Sequence, residues 1–261
     1  MLNHQDEDVG DPGGGYFDTS YVPLVSQETR GTGISQQVEF IEKFVLAKFE
    51  QPVVLDLCCG HGRHLEALSR LGINLTGSDI NEHFIKIARQ RIDNDVNLIC
   101  CDAREFVRDN LFDVVLNLET SLGCFTLSDA ELVIANIYRS LKNGGALLLH
   151  VFNPDFAMYK LPHRTWFEGQ EGIIALEERK FDPDRGLVTI TQVRFSPLHT
   201  ADVYRASNHQ IRVMMFTYDD LCRMVTKAGF RIRHVYGDFK GSPYEDESPN
   251  IIMFCTKGEA G

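Results

Sequence analysis

Apolar residues along this chain fall into two periods. Ile34, Val38, Ile41, Val45 and Phe49 recur at spacings of three and four, which predicts a helix that Pro52 stops. From Val53 onward, short apolar runs alternate with helical stripes. Val53 to Cys58 is broken only by Asp56, as expected of a strand buried on both faces. A helix from Arg63 to Leu71 closes at Gly72, a strand follows from Ile73 to Ser78, and Asn81 can cap a helix running to about Asp93. Val96 to Cys101 and Phe112 to Leu118 read as the third and fourth strands. Ser128 and Glu131 have the spacing of a capping box for a helix to Leu141, and Asn143, Gly144 and Gly145 turn the chain into a fifth strand, Ala146 to Phe152. Repeated strand–helix units of this length predict a doubly wound α/β fold, with a mostly parallel sheet and right-handed crossovers.

After Asn153 the pattern changes. Beyond a short helical piece near Phe156, the runs Ile173 to Arg179, Leu187 to Phe195 and Tyr204 to Met215 are β-rich, and Phe181 to Gly186 is a turn signal between the first two. Residues 153–216 are therefore expected to form an antiparallel insertion. Thr217 can then cap a helix with Leu221, Met224, Val225 and Ala228 on its apolar face, and Phe230 to Tyr236 and Ile251 to Thr256 complete the strands. Residues 1–15 are acidic and end in three glycines, so they are expected to be disordered, and residues 16–261 to form one domain.

Composition narrows the class. The 261 residues are 43% hydrophobic, enough for a sizeable core, and carry a formal net charge of -11. Such a surface repels nucleic acid, and no Lys/Arg-rich tract offsets it. No apolar run approaches a membrane span, and Asp6, Glu7, Asp8 and Asp11 argue against a targeting leader. Seven cysteines without a C-x-x-C pair point to reduced core thiols in a cytoplasmic protein and to no metal site.

The chemistry concentrates where strands end. Val53 to Leu57 runs into Cys58-Cys59-Gly60-His61-Gly62 and then a helix opening at Arg63, an arrangement that lets backbone approach a ligand closely. The dinucleotide fingerprint G-x-G-x-x-G would need glycine where Leu65 stands, which weakens a dehydrogenase reading. Asp79, 19 residues after Gly60, ends the second strand beside Ile80, where a carboxylate can accept both ribose hydroxyls of an adenosine cofactor. Asp102, followed by Ala103, ends the third strand, where an acid can accept an adenine amine. Leu118 ends the fourth. Asp56 is a candidate for the cofactor site, Asp113 reads as a turn-binding acid, and His61 can line a pocket or face solvent.

In these features the chain resembles the class I S-adenosylmethionine (SAM) dependent methyltransferases. The matching residues are Asp56-x-x-x-Gly60-x-Gly62-Arg63, Asp79, Asp102-Ala103, Phe112-Asp113-Val114-Val115 and Leu141-Lys142-Asn143-Gly144-Gly145. The resemblance is clear over residues 34–152 and looser over 217–257. It implies a seven-stranded sheet with an antiparallel last strand, and SAM as cofactor. That family often has D-x-G-C-G-x-G-R, so Cys58 replaces its first glycine and is expected to narrow the methionine end of the cofactor pocket. Arg30 is a candidate grip for the cofactor carboxylate. Ser121 to Phe125 and Tyr236 to Phe239 look like segments of small-molecule methyltransferases.

Methyl transfer mainly requires that nucleophile and methyl be held in line and water excluded. A base is needed only when the acceptor loses a proton, and the candidates are His150, at the end of the fifth strand, and His209 in the insertion. Tyr21 can line the methyl channel. Residues 16–33 and the insertion are the material left to roof the acceptor side, bringing Tyr21, Trp166, Tyr204, His209 and Arg212. The expected function is methyl transfer to a small-molecule acceptor at N, O or C. A methyltransferase for RNA or protein, or a non-catalytic SAM-binding module, are the competing readings. Asn117-Leu118-Glu119-Thr120 stands where DNA- and glutamine-methylating enzymes carry N/D-P-P-Y/F.

Overall fold

The computed structural model describes residues 9, 15–25, 33–92, 95–198 and 203–258. The expected disorder of residues 1–15 concerns positions almost all outside these.

The parallel strands β1 (Val53–Leu57), β2 (Asn74–Asp79), β3 (Asn97–Cys100), β4 (Phe112–Asn117) and β5 (Leu141–Phe152) form one sheet with β10 (Phe230–Tyr236) and β11 (Asn250–Lys257). Its order is β10-β11-β5-β4-β1-β2-β3, with β11 antiparallel to both of its neighbours. This is the seven-stranded, doubly wound sheet expected from the sequence. Consecutive residues of the central strands point to opposite faces and feed two cores. Val54, Val114, Leu148 and Ile252 pack under α1 (Ile34–Phe44), α2 (Arg63–Ser69) and α3 (Glu82–Arg91). Leu55, Val115, Leu147 and Ile251 pack under α4 (Leu127–Ser140) and α6 (Tyr218–Lys227). Runs such as Val53–Leu57 are apolar almost throughout because both faces are covered.

The insertion carries α5 (Pro154–Lys160) and a second sheet of β6 (Arg164–Glu168), β7 (Ile174–Asp182), β8 (Leu187–Pro197) and β9 (Tyr204–Met214), each antiparallel to the next. Three of the four strands follow from the apolar runs. β6 does not, because its burial alternates between half-buried and exposed and no apolar stripe marks it.

Two local readings change. α4 is capped by Thr126, whose hydroxyl accepts the N–H of Asp129, and not by a Ser128–Glu131 box. The helix needs its apolar face over Ala130, Val133, Ile134 and Ile137, and an earlier start serves that face. β5 begins at Leu141, with its pairing to β4 shifted between Phe112 and Val114 across the glycine turn. Thr217 caps α6 as expected, in a reciprocal box with Asp220. No helix among the described residues is long and apolar enough to cross a membrane.

Gly77 in β2 marks where this sheet tolerates no side chain. A β-carbon there would run into Leu65 of α2, with Leu98 Cδ2 at 3.0 Å and Cys59 Sγ at 3.1 Å. Overpacking of this kind costs about 1–3 kcal/mol. Gly77→Ala should therefore lower the unfolding free energy by that amount, read as a lower urea midpoint at unchanged slope. Full wild-type stability would mean that helix α2 shifts freely against the sheet.

Candidate active site

The carboxyl ends of β1, β2, β3 and β4 surround one cleft of about 1030 Å³ including its open mouth. The turn from β1 to α2 forms its floor. Here the backbone passes through left-handed geometry at Cys58 (φ 63°), Gly60 (φ 54°) and Gly62 (φ 82°). Gly62 is also constrained by packing, since a β-carbon would lie 3.0 Å from that of Ala88 on α3.

Among the described residues four carboxylates line the cleft, each in a different state. Asp79 Oδ2 accepts the N–H of Gly60 at 2.8 Å, and its Oδ1 accepts that of Asn81 at 2.9 Å. Each oxygen keeps a further lone pair, so two hydroxyls can still be received. Burial raises its pKa, against the pull of those two N–H donors. Asp56 is 2% exposed with Oδ2 unpartnered. Burial, then the nearby Asp79 charge, push its carboxyl up to about 7, while Arg63 pulls the other way. Asp102 is tied by both oxygens to Arg104, which holds its pKa below the usual range, so an adenine amine would have to share it.

Glu119, the fourth, follows β4 in a turn where it and Thr120 are both left-handed, at φ 56° and 61°. Its Oε1 accepts Gln37 Nε2 at 2.8 Å, and Gln37 Oε1 stands 2.5 Å from His64 Nε2. The Glu119 N–H donates to Nδ1 of His150 at 3.1 Å, and the other ring nitrogen lies 3.0 Å from Asn250 Oδ1. Burial raises the Glu119 pKa, but His150, His64, Arg63 and the Gln37 bond together bring it below its ordinary value.

Above the cleft lies the segment 15–25. Phe17 and Tyr21 line the cleft and pack edge-on at 5.0 Å, with Phe84 of α3 within 6.2 Å of both. Arg194 of β8, with no exposed surface, donates to Asp18 Oδ1 (2.9 Å), Ser20 Oγ (3.0 Å) and the carbonyl of Tyr16 (2.8 Å). Asn81 holds the carbonyl of Phe17, and Arg63 that of Val25.

Of the sequence candidates, Tyr21, Asp56, Cys58, Gly60, His61, Arg63, Asp79, Ile80, Asp102, Ala103 and Leu118 all line this cleft, with Gly62 behind the turn. Arg30 lies outside the described residues. His150 does not line the cleft. It is 1% exposed, and both ring nitrogens are engaged, Nδ1 as the acceptor of a backbone N–H. It therefore has no lone pair for an acceptor's proton and serves the Glu119 turn instead. His209 is also outside the cleft, between the carbonyl of Gly15 and Ser207 Oγ. Trp166, Tyr204 and Arg212 are exposed on the second sheet. Among its described residues the insertion contributes none to the lining; they reach the cleft by holding segment 15–25 and by packing β9 against Gly123.

Phe84 and Gln37, which holds Glu119, were not singled out from the sequence. Gln37 carried a signal: it lies on the Ile34–Ile41 stripe, and a polar residue on an apolar helix face needs a buried partner.

Residues 54–145 match a protein family described as a methyltransferase domain. The chain carries a class I SAM-dependent methyltransferase domain. It is 26% identical over 207 residues to the cypemycin N-terminal methyltransferase of a Streptomyces species, covering 77% of this chain and 81% of that one. It is 28% identical over 127 residues to the ubiquinone biosynthesis O-methyltransferase of Coxiella burnetii, covering 47% of this chain and 52% of the other. Its fold matches the sugar N-methyltransferase KedS8 of a Streptoalloteichus species with a TM-score of 0.76 over 99% of both chains, at 18% identity.

Within this methyltransferase, Cys58 takes a backbone conformation that its family usually gives to glycine. Left-handed geometry costs a residue with a β-carbon about 1–2 kcal/mol, and glycine's extra freedom when unfolded returns about 0.5–1. Cys58→Gly should therefore raise stability by up to about 1 kcal/mol in a denaturant titration. A loss of stability would mean that the Cys58 side chain contributes more packing than its backbone costs.

Proposed function

We propose that the chain transfers the methyl group of SAM to a small-molecule acceptor held in this cleft beneath Phe17 and Tyr21. The observation that carries the reading is the convergence of unpartnered buried polar atoms on the cleft. Asp56 Oδ2, His61 Nε2 and Ser78 Oγ have no hydrogen-bond partner, although each is buried and lines it. Buried polar atoms left single cost about 1–3 kcal/mol each, so a polar ligand among them fits the donor set.

When bound, SAM supplies a methyl carbon made electron-poor by its sulfonium sulfur. Asp79 would hold its ribose hydroxyls, the turn Cys58–Gly62 would pass beneath its amino-acid end, and Asp56 would face its ammonium. Leu118, Phe125 and Cys124 line the neighbouring wall, and Phe17 and Tyr21 close the top against water. Cys58 and Cys124 are not nucleophiles here, since burial raises both thiols, Cys124 to about 12. Among the described residues Arg63 is the only lysine or arginine in the lining, which supports a small acceptor over nucleic acid. The names of the relatives, a cypemycin N-terminal methyltransferase and a ubiquinone biosynthesis O-methyltransferase, support the same class. The free cysteines fit a reducing compartment, and we assign the cytoplasm.

Two measurements test the cofactor half. Asp79→Ala removes two charge-assisted acceptors worth about 1.5–3 kcal/mol each, about 3–6 kcal/mol together, so calorimetry should read SAM binding weakened about a hundredfold to ten-thousandfold with the sheet still folded. An unchanged dissociation constant would assign the ribose to another acid. The second is pH. Below about 7 the Asp56 carboxyl carries a proton that an arriving ammonium must displace. SAM affinity should thus rise with pH, by at most about tenfold per unit, and level off above 7. Asp56→Asn should bind more weakly with a flat profile; a slope that survives this change would trace the proton to another group.

A further inference from the structure

We propose that the acceptor is an amine, whose N–H is received by the cleft-facing oxygen of Glu119. The inference rests on the methyl-transfer reading above and adds the acceptor's chemical class.

Elimination among the four acids points to Glu119. The oxygens of Asp79 take backbone N–H groups, those of Asp102 take Arg104, and Asp56 lies in β1 beneath the glycine turn. Glu119 spends only Oε1, on Gln37, and its side chain is 31% exposed. Among the described residues its Oε2 has no hydrogen-bond partner. The turn that aims it is strained at two consecutive residues and pinned by the Glu119 N–H on His150 and by the Thr120 hydroxyl, which accepts the N–H of Phe152 at 2.9 Å. Strain of this kind persists only where surrounding structure enforces it, and it gathers at functional positions.

The side-chain rotamer is enforced separately. Since Gln37 Nε2 donates to Glu119, its carbonyl faces His64, and His64 Nε2–H must donate to it. The chain from His64 to Gln37 to Glu119 ends on an acceptor, so it favours the carboxylate over the acid. The charged and titratable groups around that carboxylate are Arg63 and His64 of α2 and His150 of β5, with Gln37 of α1 bonded to it.

A carboxylate held ionised is a poor base for a hydroxyl, and the histidines offer no substitute. His150 and His64 are committed to protein partners, and His61 is pushed down to about 3, chiefly by burial. An amine that has left its ammonium proton in solvent before binding needs no base during attack, because it develops positive charge, and a fixed carboxylate stabilises that charge in the transition state. The acceptor nitrogen gives its lone pair to the methyl carbon, the carbon–sulfur bonding pair remains on sulfur as a thioether, and the nitrogen becomes cationic with one N–H on Glu119. Its surplus proton leaves to solvent after the product does.

The test uses the full chain, methyl-labelled SAM and a metabolite extract, with mass detection of labelled products. The expected product is an N-methyl amine. With the corresponding amine as substrate, Glu119→Gln presents an amide N–H donor or a neutral oxygen in place of the charge, and should lower kcat about 100-fold or more. KM and SAM affinity should stay within a few-fold, and Glu119→Asp should recover part of the rate. Gln37→Leu serves as a positioning variant without touching substrate. In cofactor-free protein labelled with 13C-glutamate, the Glu119 carboxyl should titrate below the ordinary glutamate range, and Gln37→Leu should move it up. An O-, S- or C-methylated product overturns the amine assignment and leaves small-molecule methyl transfer standing, as does a Glu119→Gln rate within about threefold of wild type, or a Glu119 titration that ignores Gln37. Label confined to macromolecules, or absent while SAM binds, overturns the broader reading instead.

Discussion

The hydrogen bond from the Gly60 N–H to Asp79 joins the ends of two parallel strands and gives the cleft its shape. It anchors the β1–α2 turn on the carboxylate that closes β2, so the glycine turn and the acid cannot move independently. The turn needs this anchor because it holds left-handed residues at Cys58, Gly60 and Gly62. A second bond, from Asn81 to the same carboxylate, starts α3, and α3 carries Phe84 to the cleft wall. One side chain thus sets the floor, the edge and part of the wall.

The cover depends on a different kind of interaction. Arg194 is a guanidinium with no exposed surface, on a β8 whose neighbour Gln192 is equally buried. Gln192 accepts from Arg194 and donates to Glu177, which in turn pairs with Arg179. On its outer side Arg194 meets Asp18, Ser20 and the carbonyl of Tyr16, and its plane lies 4.8 Å from the Tyr16 ring and 5.4 Å from that of Tyr21. A buried charge is tolerable only when so fully partnered, and removing one partner is costly. The second sheet acts at a distance from the chemistry. It presents a charge that segment 15–25 must satisfy, and in satisfying it that segment places Phe17 and Tyr21 over the cleft.

Much of the fold was legible along the chain because its signals are local. Strands buried on both faces read as apolar runs, helices as stripes, and their alternation leaves a parallel sheet as the consistent topology. Position along a strand then located the cleft, since ligands of open α/β sheets bind at the carboxyl edge. The error at α4 has a local cause: Thr126 and Ser128 are both capping residues, and only the placement of Ala130 and Val133 against the sheet selects between them. β6 was missed because a half-exposed strand in a small sheet has no apolar run to announce it.

The sequence by itself determined the sheet, the glycine turn and the acids Asp56, Asp79 and Asp102, all of which follow from residue type at a fixed offset from a strand end. Tertiary structure decided which groups are available to chemistry. His150 looked like a base from its place after the fifth strand, yet it is enclosed between the Glu119 backbone and Asn250, a residue 100 positions away. The place of Glu119 after the fourth strand put it near the acceptor side, but only Gln37, 82 positions away, fixes one of its oxygens and so decides which is free. Availability is a property of what surrounds a group. In a doubly wound sheet those surroundings come from strands and helices far apart in the chain, so no reading of neighbouring residues contains them.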